Sequence, residues 1–271
     1  MNRIQRTFSR LRAEQRTGLI PFVMAGDPDL PTTEQVVEAL ASAGADLIEL
    51  GVPFSDPVAD GPINQRASQR ALRHGVALVD VLNLVGRMRS RVSLPFVVLS
   101  YYNPILQYGL ARFCADAAAS GVDGVVIPDL PPDEARELID AARSVDLDTI
   151  FLLAPTSTDA RIHLVAERST GFIYCVSLTG VTGIRDHLSE DVRELVRKIK
   201  KVTQLPVCVG FGVSTPDQAR QVAEVADGVI VGSALVSLLE APGDRIARLQ
   251  EFVGGLRKSV DAVRVGEGGP P

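Results

Sequence analysis

The segment AGADLIELGV, residues 43–52, decides the fold, because its pattern recurs twice along the chain. SGVDGVVIPD (120–129) and EVADGVIVGS (224–233) repeat its order of a small residue, an aspartate and a largely apolar run. Such runs lack strict polar alternation, which is typical of a parallel sheet covered on both faces. The repeat therefore predicts one helix–turn–strand unit that is used several times.

Eight short apolar runs occur along the chain, and segments with helical periodicity separate them. The runs lie at about residues 19–24, 46–50, 94–99, 124–128, 149–153, 171–176, 205–210 and 228–232. Eight βα units favour an α/β fold of the (β/α)8 TIM-barrel type over an open doubly wound sheet. We expect a single TIM-barrel domain over residues 1–262 and a disordered C-terminal tail over residues 263–271.

Two features are expected to extend the simple barrel. Ile4, Phe8 and Leu11 recur at helical spacing, which predicts an additional N-terminal amphipathic helix packed on the domain rather than a targeting peptide. The second βα connection contains VPFSDPVADGP (52–62) and two helical patterns, and the sixth contains a glycine-rich segment. Both loops are predicted to be enlarged.

Composition excludes several classes of partner. The chain has 28 basic and 33 acidic residues and a net charge of -5, so it offers no polycationic surface to nucleic acid or anionic lipid. No apolar run approaches the roughly 18 to 20 residues that span a bilayer. The three cysteines lie far apart without a Cys-x-x-Cys motif, which indicates neither disulfides nor zinc and fits a cytoplasmic protein.

Glycine clusters follow the last three predicted strands. These are TGVTG (179–183), GFG (210–212) and GSALVSLL (232–239). TIM barrels commonly bind phosphate at the loops after strands seven and eight, against the N-terminus of a short helix. The backbone amides of Gly183, Gly212, Gly232 and Ser233 are therefore predicted to bind a phosphate group. The alternative is that these glycines only serve tight turns.

The residue inventory narrows the chemistry. No lysine ends a predicted strand, so a Schiff-base aldolase has no nucleophile here. The three histidines lie on separate elements without metal-ligand spacing, so no metal site is predicted. His74 and His163 are interpreted as a helix-end and a helix-surface residue, whereas a substrate contact by His187, after strand six, stays open.

Carboxyl and hydroxyl groups remain at the expected active end of the barrel. They belong to Glu49, Asp60, Asp129, Tyr174 and Thr182. Glu49 shares a strand face with Leu47 and would point into the mouth if that face is the interior. There its pKa would rise toward the range of a general acid or base, while a carboxylate in a polar loop could stabilise positive charge. Glu49 could instead form an internal ion pair, and Asp56 and Asp60 could be turn formers.

Six segments, in order and at matching spacing, resemble the motifs of the tryptophan synthase α subunit. They are PFVMAGDP (21–28), LIELGVPFSDPVADGP (47–62), YYNP (101–104), VVIPDLPPDE (125–134), GVTG (180–183) and GFGVSTPDQ (210–218). The resemblance covers about residues 20–239. It implies a (β/α)8 barrel and a lyase that cleaves indole-3-glycerol phosphate to indole and glyceraldehyde 3-phosphate in tryptophan biosynthesis.

The same resemblance implies roles for individual residues. Glu49 would be the catalytic glutamate, which helps protonate carbon 3 of the indole and takes the proton of the glycerol hydroxyl. Asp60 would be the catalytic aspartate, which holds the indole N–H while the ring is cationic. Further substrate contacts would come from Phe22, Tyr174, Thr182 and Phe211, and phosphate contacts from Gly183, Gly212, Gly232 and Ser233.

The family forms an α2β2 complex in which the β subunit carries pyridoxal phosphate, so this chain is expected to need no cofactor of its own. Pro53, Asp56 and Asp129 fall where the family meets its β subunit. Leu178 and Ser100 depart from residues found in some members of the family. Two other interpretations remain, a different phosphosugar TIM-barrel isomerase and a non-catalytic subunit that only activates its partner.

Overall fold

The computed structural model describes residues 1–176, 188–210, 212–241 and 243–263. The strands are β1 (Gly18–Met24), β2 (Ile48–Gly51), β3 (Phe96–Leu99), β4 (Gly124–Val126), β5 (Asp148–Ile150), β6 (Leu152–Leu153), β7 (Ile173–Val176), β8 (Val207–Gly210) and β9 (Gly228–Val231). The helices are α1 (Arg3–Ala13), α2 (Leu30–Ser42), α3 (Pro62–Arg73), α4 (Leu78–Met88), α5 (Tyr102–Tyr108), α6 (Leu110–Ser120), α7 (Arg136–Arg143), α8 (Asp159–Arg168), α9 (Glu190–Val202), α10 (Pro216–Ala223), α11 (Ser233–Glu240) and α12 (Arg245–Asp261).

The strands form a nearly closed parallel barrel surrounded by helices, which confirms the predicted TIM-barrel class. Their order is β5-β4-β3-β2-β1-β9-β8-β7-β6, and β1 pairs with both β2 and β9. The eight predicted runs correspond to nine strands because the fifth run is divided at Phe151 into β5 and β6. The second connection holds residues 52–61 together with α3 and α4, whereas residues 177–187 of the sixth lie outside the described residues.

The aspartate of the sequence repeat joins neighbouring strands at the amino end of the barrel. Asp46 accepts a hydrogen bond from the amide of Leu19 at 3.0 Å, and Asp123 accepts one from Phe96 at 2.9 Å. Asp227 binds the start of β8 in the same way at 2.8 Å. Each aspartate therefore precedes one strand and fastens the first residues of the strand before it.

Helix α1 closes this amino end. Ile4, Phe8 and Leu11 are buried against the barrel interior, and the rings of Phe8 and Phe172 lie 5.9 Å apart. A capping box formed by Asn2 and Gln5 begins the helix. The predicted amphipathic helix is confirmed, and the barrel is filled with apolar side chains from this end.

Several smaller predictions can be compared with the structure. His74 is the C-terminal cap of α3, and His163 is exposed on α8, as predicted for both. The three cysteines, Cys114, Cys175 and Cys208, are free and buried. Within the described ranges, no helix combines the length and the apolar character that crossing a membrane requires.

Candidate active site

Strand β2 directs Glu49 into the barrel. Leu47 packs in the cluster of the barrel interior, whereas Ile48 and Leu50 pack in the outer core toward the helices. Because side chains alternate along a strand, Glu49 shares the inner face with Leu47. Its Cα pairs in register with that of Phe22 on β1. Glu49 therefore lies at the carboxyl end of the barrel, where TIM-barrel active sites are built.

The environment of Glu49 is apolar and contains no neutralising cation in the described part of the chain. The residue is 2% exposed, and neither carboxyl oxygen has a hydrogen-bond partner among the described residues. Burial, and secondly the charge of Asp60, raises the pKa of Glu49 to about 8. Such a carboxyl can give up and regain a proton near neutral pH. The alternative of an internal ion pair has no support within these residues.

Asp60 lies in the loop after β2, where two side chains hold its carboxylate. The Tyr101 hydroxyl donates to Oδ2 at 3.0 Å, and the Asn64 amide donates to Oδ1 at 3.5 Å. Burial raises the pKa of Asp60, and these two hydrogen bonds oppose that rise. Gln65 also binds the Asp60 carbonyl oxygen at 2.9 Å. Asp60 is thus held by side chains and does more than form a turn.

Sequence reasoning did not single out Tyr101, whose hydroxyl binds the Asp60 carboxylate. It is buried, its ring lies 5.3 Å from that of Phe54, and its hydroxyl accepts the Ala59 amide hydrogen at 2.9 Å. Since that amide occupies an acceptor position, the hydroxyl hydrogen is directed toward Asp60. The YYNP motif was a signal for this position, but the bond joins residues that are 41 apart in sequence and no local pattern reveals it.

Tyr174 and Phe22 supply aromatic surfaces near the two carboxyl groups. Burial, and then the charge of Glu49, raises the pKa of Tyr174 well above its usual value, so its hydroxyl stays protonated. A Cβ atom at Gly210 would lie 2.8 Å from that hydroxyl oxygen, so the ring depends on a glycine there. The ring of Phe22 similarly lies against Gly51, where a Cβ atom would come within 2.7 Å of it.

Part of the predicted phosphate site lies within the described residues. Gly212 follows β8 with a φ of +58°, a conformation that favours glycine, and space is open beside it. Gly232 caps α11, and its carbonyl accepts from the amide of Leu235 at 2.8 Å. First-turn amides such as that of Ser233 have no acceptor inside their own helix and bind anions well. The structure thus brings Gly232 and Ser233 to one helix start after β9.

Three predicted contacts, Thr182, Gly183 and Phe211, fall outside the described residues, as do Leu178 and His187. Ser100, the other departure from the family pattern, is buried, and its hydroxyl donates to the Tyr101 carbonyl at 3.0 Å. It therefore supports the backbone beside the site.

The residues expected at a partner surface lie on connections at the same end of the barrel. Asp56 is exposed, and the Ser55 hydroxyl donates to it. Asp129 is exposed and accepts the amide hydrogen of Tyr102 at 2.8 Å, at the start of α5. Pro53 is itself buried and lines a mostly apolar groove of about 400 Å³ between this connection and α5.

Lysine side chains and metal-binding groups do not gather at the described part of the mouth. Lys198, Lys200 and Lys201 belong to α9 and Lys258 to α12, and Lys200 pairs with Asp227 at the amino end at 3.1 Å. Among the described residues, no group of three or more His, Cys, Asp or Glu side chains could hold a metal ion. The chemistry that this arrangement supports is proton transfer by a buried carboxyl next to a second, hydrogen-bonded carboxylate.

Comparison with protein families gives a match to the model described as tryptophan synthase alpha chain, over residues 8–261. The tryptophan synthase alpha chain of Geobacter sulfurreducens is 51% identical over 262 residues, which cover 96% of this chain and 99% of that protein. The alpha chain of a Picosynechococcus species is 50% identical over 263 residues, covering 96% of this chain and 100% of that protein.

Solved structures agree with these sequence relatives. The tryptophan synthase alpha subunit of Legionella pneumophila superposes with a TM-score of 0.90 at 37% identity, covering 97% of this chain and 100% of that chain. A chain of Mycobacterium tuberculosis tryptophan synthase gives a TM-score of 0.90 at 43% identity, covering 98% of this chain and 99% of that chain.

Proposed function

The chain belongs to the tryptophan synthase alpha chain family, and from this membership we propose that Glu49 and Asp60 carry the reaction of the site described above. The chain is thus the lyase subunit and catalyses the alpha reaction of tryptophan biosynthesis. In that reaction indole-3-glycerol phosphate is cleaved to indole and glyceraldehyde 3-phosphate. The single observation that carries the residue assignment is the buried carboxyl of Glu49, which has no hydrogen-bond partner among the described residues and lies beside Asp60.

Glu49 is the proton-transfer group in this proposal. With a pKa of about 8 it is largely protonated at neutral pH and can donate to carbon 3 of the indole ring. The resulting carboxylate then takes the proton of the glycerol hydroxyl. As that proton leaves, the bond between carbon 3 and the glycerol carbon breaks, its electrons return to the ring, and the hydroxyl-bearing carbon becomes the aldehyde.

Asp60 stabilises the intermediate that precedes bond cleavage. Protonation at carbon 3 makes the ring cationic and leaves its positive charge largely at the nitrogen. A carboxylate that accepts the indole N–H lowers the energy of this state, since electrostatic stabilisation is strong in a site that excludes water. The hydrogen bonds from Tyr101 and Asn64 support this role, because they favour the charged form of Asp60.

The remaining contacts hold the two ends of the substrate. Phe22 and Tyr174 flank the indole, and the amides of Gly212, Gly232 and Ser233 bind the phosphate with help from the dipole of α11. Thr182, Gly183 and Phe211 complete the pocket in this proposal. We also propose that residues 1–262 form one domain and that residues 263–271 are a C-terminal tail.

The proposal also covers the oligomeric assembly of the chain and its contact with a partner subunit. We propose an α2β2 complex with a tryptophan synthase β subunit that carries the pyridoxal phosphate, with Pro53, Asp56 and Asp129 at the contact. The apolar groove beside Pro53 supports this surface, and the absence of a lysine from the described mouth supports a cofactor held by the partner. The three free cysteines support a cytoplasmic location.

Release of indole tests the residue assignment. Purified chain is incubated with indole-3-glycerol phosphate, and indole is measured for the wild type, Glu49→Gln, Asp60→Asn and the control Glu137→Gln, an exposed glutamate on α7. We expect loss of at least about 100-fold for the first two variants and little change for the control. If the wild type converts indole-3-glycerol phosphate to another product without releasing indole, the chain is an isomerase. Equal rates for wild type and Glu49→Gln, with activation of the β subunit intact, would indicate a non-catalytic subunit.

A further inference from the structure

A network of four charged side chains lies between α3 and α11. Arg70 binds Asp27 through two hydrogen bonds of 2.7 and 2.8 Å and binds Glu240 through a third of 3.0 Å. Arg66, one turn earlier on α3, binds both carboxylate oxygens of Glu240 at 3.1 and 3.0 Å. We call Asp27, Arg66, Arg70 and Glu240 the mouth clamp, because they join the connections that follow β1, β2 and β9.

The Arg70–Asp27 pair of the mouth clamp differs from an ordinary surface ion pair, whereas the pairs that Glu240 forms with Arg66 and Arg70 are partly exposed. The side chain of Asp27 is only 4% exposed, and Arg70 meets it with the flat, two-bonded geometry that arginine forms with carboxylates. Hydrogen bonding to Asp27 raises the pKa of Arg70, and hydrogen bonding to Arg66 lowers the pKa of Glu240. Loss of Arg70 would leave a buried carboxylate without its partner.

Each element that the clamp joins begins or ends at the active site. Helix α3 begins at Pro62, two residues after Asp60, and α11 begins at Ser233 in the proposed phosphate site. Asp27 follows β1, the strand that carries Phe22. The bodies of α3 and α11 also pack against each other. A movement of either helix would therefore change the distance between the acidic loop and the phosphate amides.

We propose that the mouth clamp is a positioning device that sets the distance between Asp60 and the phosphate site, so that one substrate reaches both. This inference rests on the roles proposed above for Asp60 and Ser233. A substrate held by its phosphate needs its indole nitrogen at Asp60, and an error of about 1 Å in such an arrangement can lower the rate by about 100-fold. Arg66, Arg70 and Glu240 act through the helices and do not contact the substrate.

The chain offers a matched control for a test of the clamp. Glu34 on α2 also receives two arginines from one neighbouring segment, Arg87 at 2.8 Å and Arg91. These ion pairs join α2 to α4, which carries Arg87, and to the segment just after α4, which carries Arg91. They involve no residue of α3 or α11. Glu34→Gln and Glu240→Gln therefore remove the same chemical group from the same type of ion pair.

The two variants are compared by the kinetics of indole formation and by the affinity for glycerol 3-phosphate, which probes the phosphate site alone. We expect Glu240→Gln to lower kcat/KM at least 10-fold while its affinity for glycerol 3-phosphate stays within about twofold of the wild type. Glu34→Gln should leave both values within about twofold. Arg70→Lys, which keeps the charge but loses the two-bonded geometry, should resemble Glu240→Gln.

Three results would overturn the proposal or its premise, and they differ from one another. Equal kcat/KM for Glu240→Gln and Glu34→Gln would show that the clamp does not position the site. If the affinity for glycerol 3-phosphate falls together with kcat/KM for the substrate, the substitution has damaged the phosphate site and has not merely changed the alignment of the two ends of the site. Absence of indole formation by the wild type would refute the proposed function itself, independently of the clamp.

Discussion

Replacement of Glu49 by glutamine should make the folded chain more stable, by an amount that grows with pH. The usual pKa of a glutamate is 4.5, and the pKa in the folded protein is about 8. Between these values the folded chain keeps a proton that the unfolded chain has released. Wild-type stability therefore falls as the pH rises through this window, whereas the glutamine variant has no such group to ionise.

The size of the effect follows from the shift in pKa. A rise from 4.5 to about 8 corresponds to about 5 kcal/mol, at about 1.36 kcal/mol for each pH unit. Below about pH 4.5 the carboxyl is protonated in both states, so it contributes no pH-dependent difference. Above about pH 8 it is charged in both states and the difference reaches its full value.

Urea unfolding of the isolated chain, followed by circular dichroism at several values between about pH 5 and pH 9, measures this difference. Glu137→Gln is the control, because Glu137 is exposed on α7 and its replacement should give only a small offset that does not change with pH. A difference between Glu49→Gln and wild type that stays constant across this pH range would refute the reasoning. It would mean that Glu49 ionises as freely in the folded chain as in water.

Three further substitutions test other parts of the site. Tyr101→Phe removes the donor to Asp60 and should lower kcat/KM for indole formation by about 10- to 100-fold, because a hydrogen bond to a charged group contributes about 1.5 to 3 kcal/mol. A change below twofold would contradict this role. Gly210→Ala should displace the ring of Tyr174, lower the free energy of unfolding by about 1 to 3 kcal/mol and reduce activity. Full activity at wild-type stability would contradict the close contact between Gly210 and Tyr174. Asp129→Ala should leave the activity of the isolated chain unchanged but weaken its activation by the β subunit, as measured by titration with that subunit.

The barrel could be predicted from the sequence because its strands are short apolar runs with local signals. The repeated aspartate is the clearest example, since Asp46 and Asp123 precede their strands and bind the backbone of the neighbouring strand in the structure. The division of the fifth strand at Phe151 could not be predicted, because the apolar run continues through it and only strand pairing ends there. The amino-acid composition of this run gives no sign that the strand is interrupted.

The candidate site was predictable where side chains follow strand periodicity. Alternation along β2 was enough to deduce that Glu49 shares a face with Leu47, opposite Ile48 and Leu50, and the structure shows that this face is the barrel interior. The partners of Asp60 and Arg70 could not be deduced, because they come from distant segments whose approach depends on how helices pack on the barrel. Resemblance to a family supplied the proposed roles of the two carboxyl groups, and the burial of Glu49 in the structure agrees with the rise in its pKa that the sequence predicts.

A crystal structure of the Glu49→Gln variant with indole-3-glycerol phosphate bound tests the central claim most directly, since this variant should bind the substrate without cleaving it. We expect an Asp60 oxygen within about 3 Å of the indole nitrogen, the substituted side chain at position 49 beside carbon 3 and the glycerol hydroxyl, and the phosphate oxygens at the amides of Gly232 and Ser233. An indole nitrogen remote from Asp60, or a phosphate bound away from the start of α11, would contradict the account.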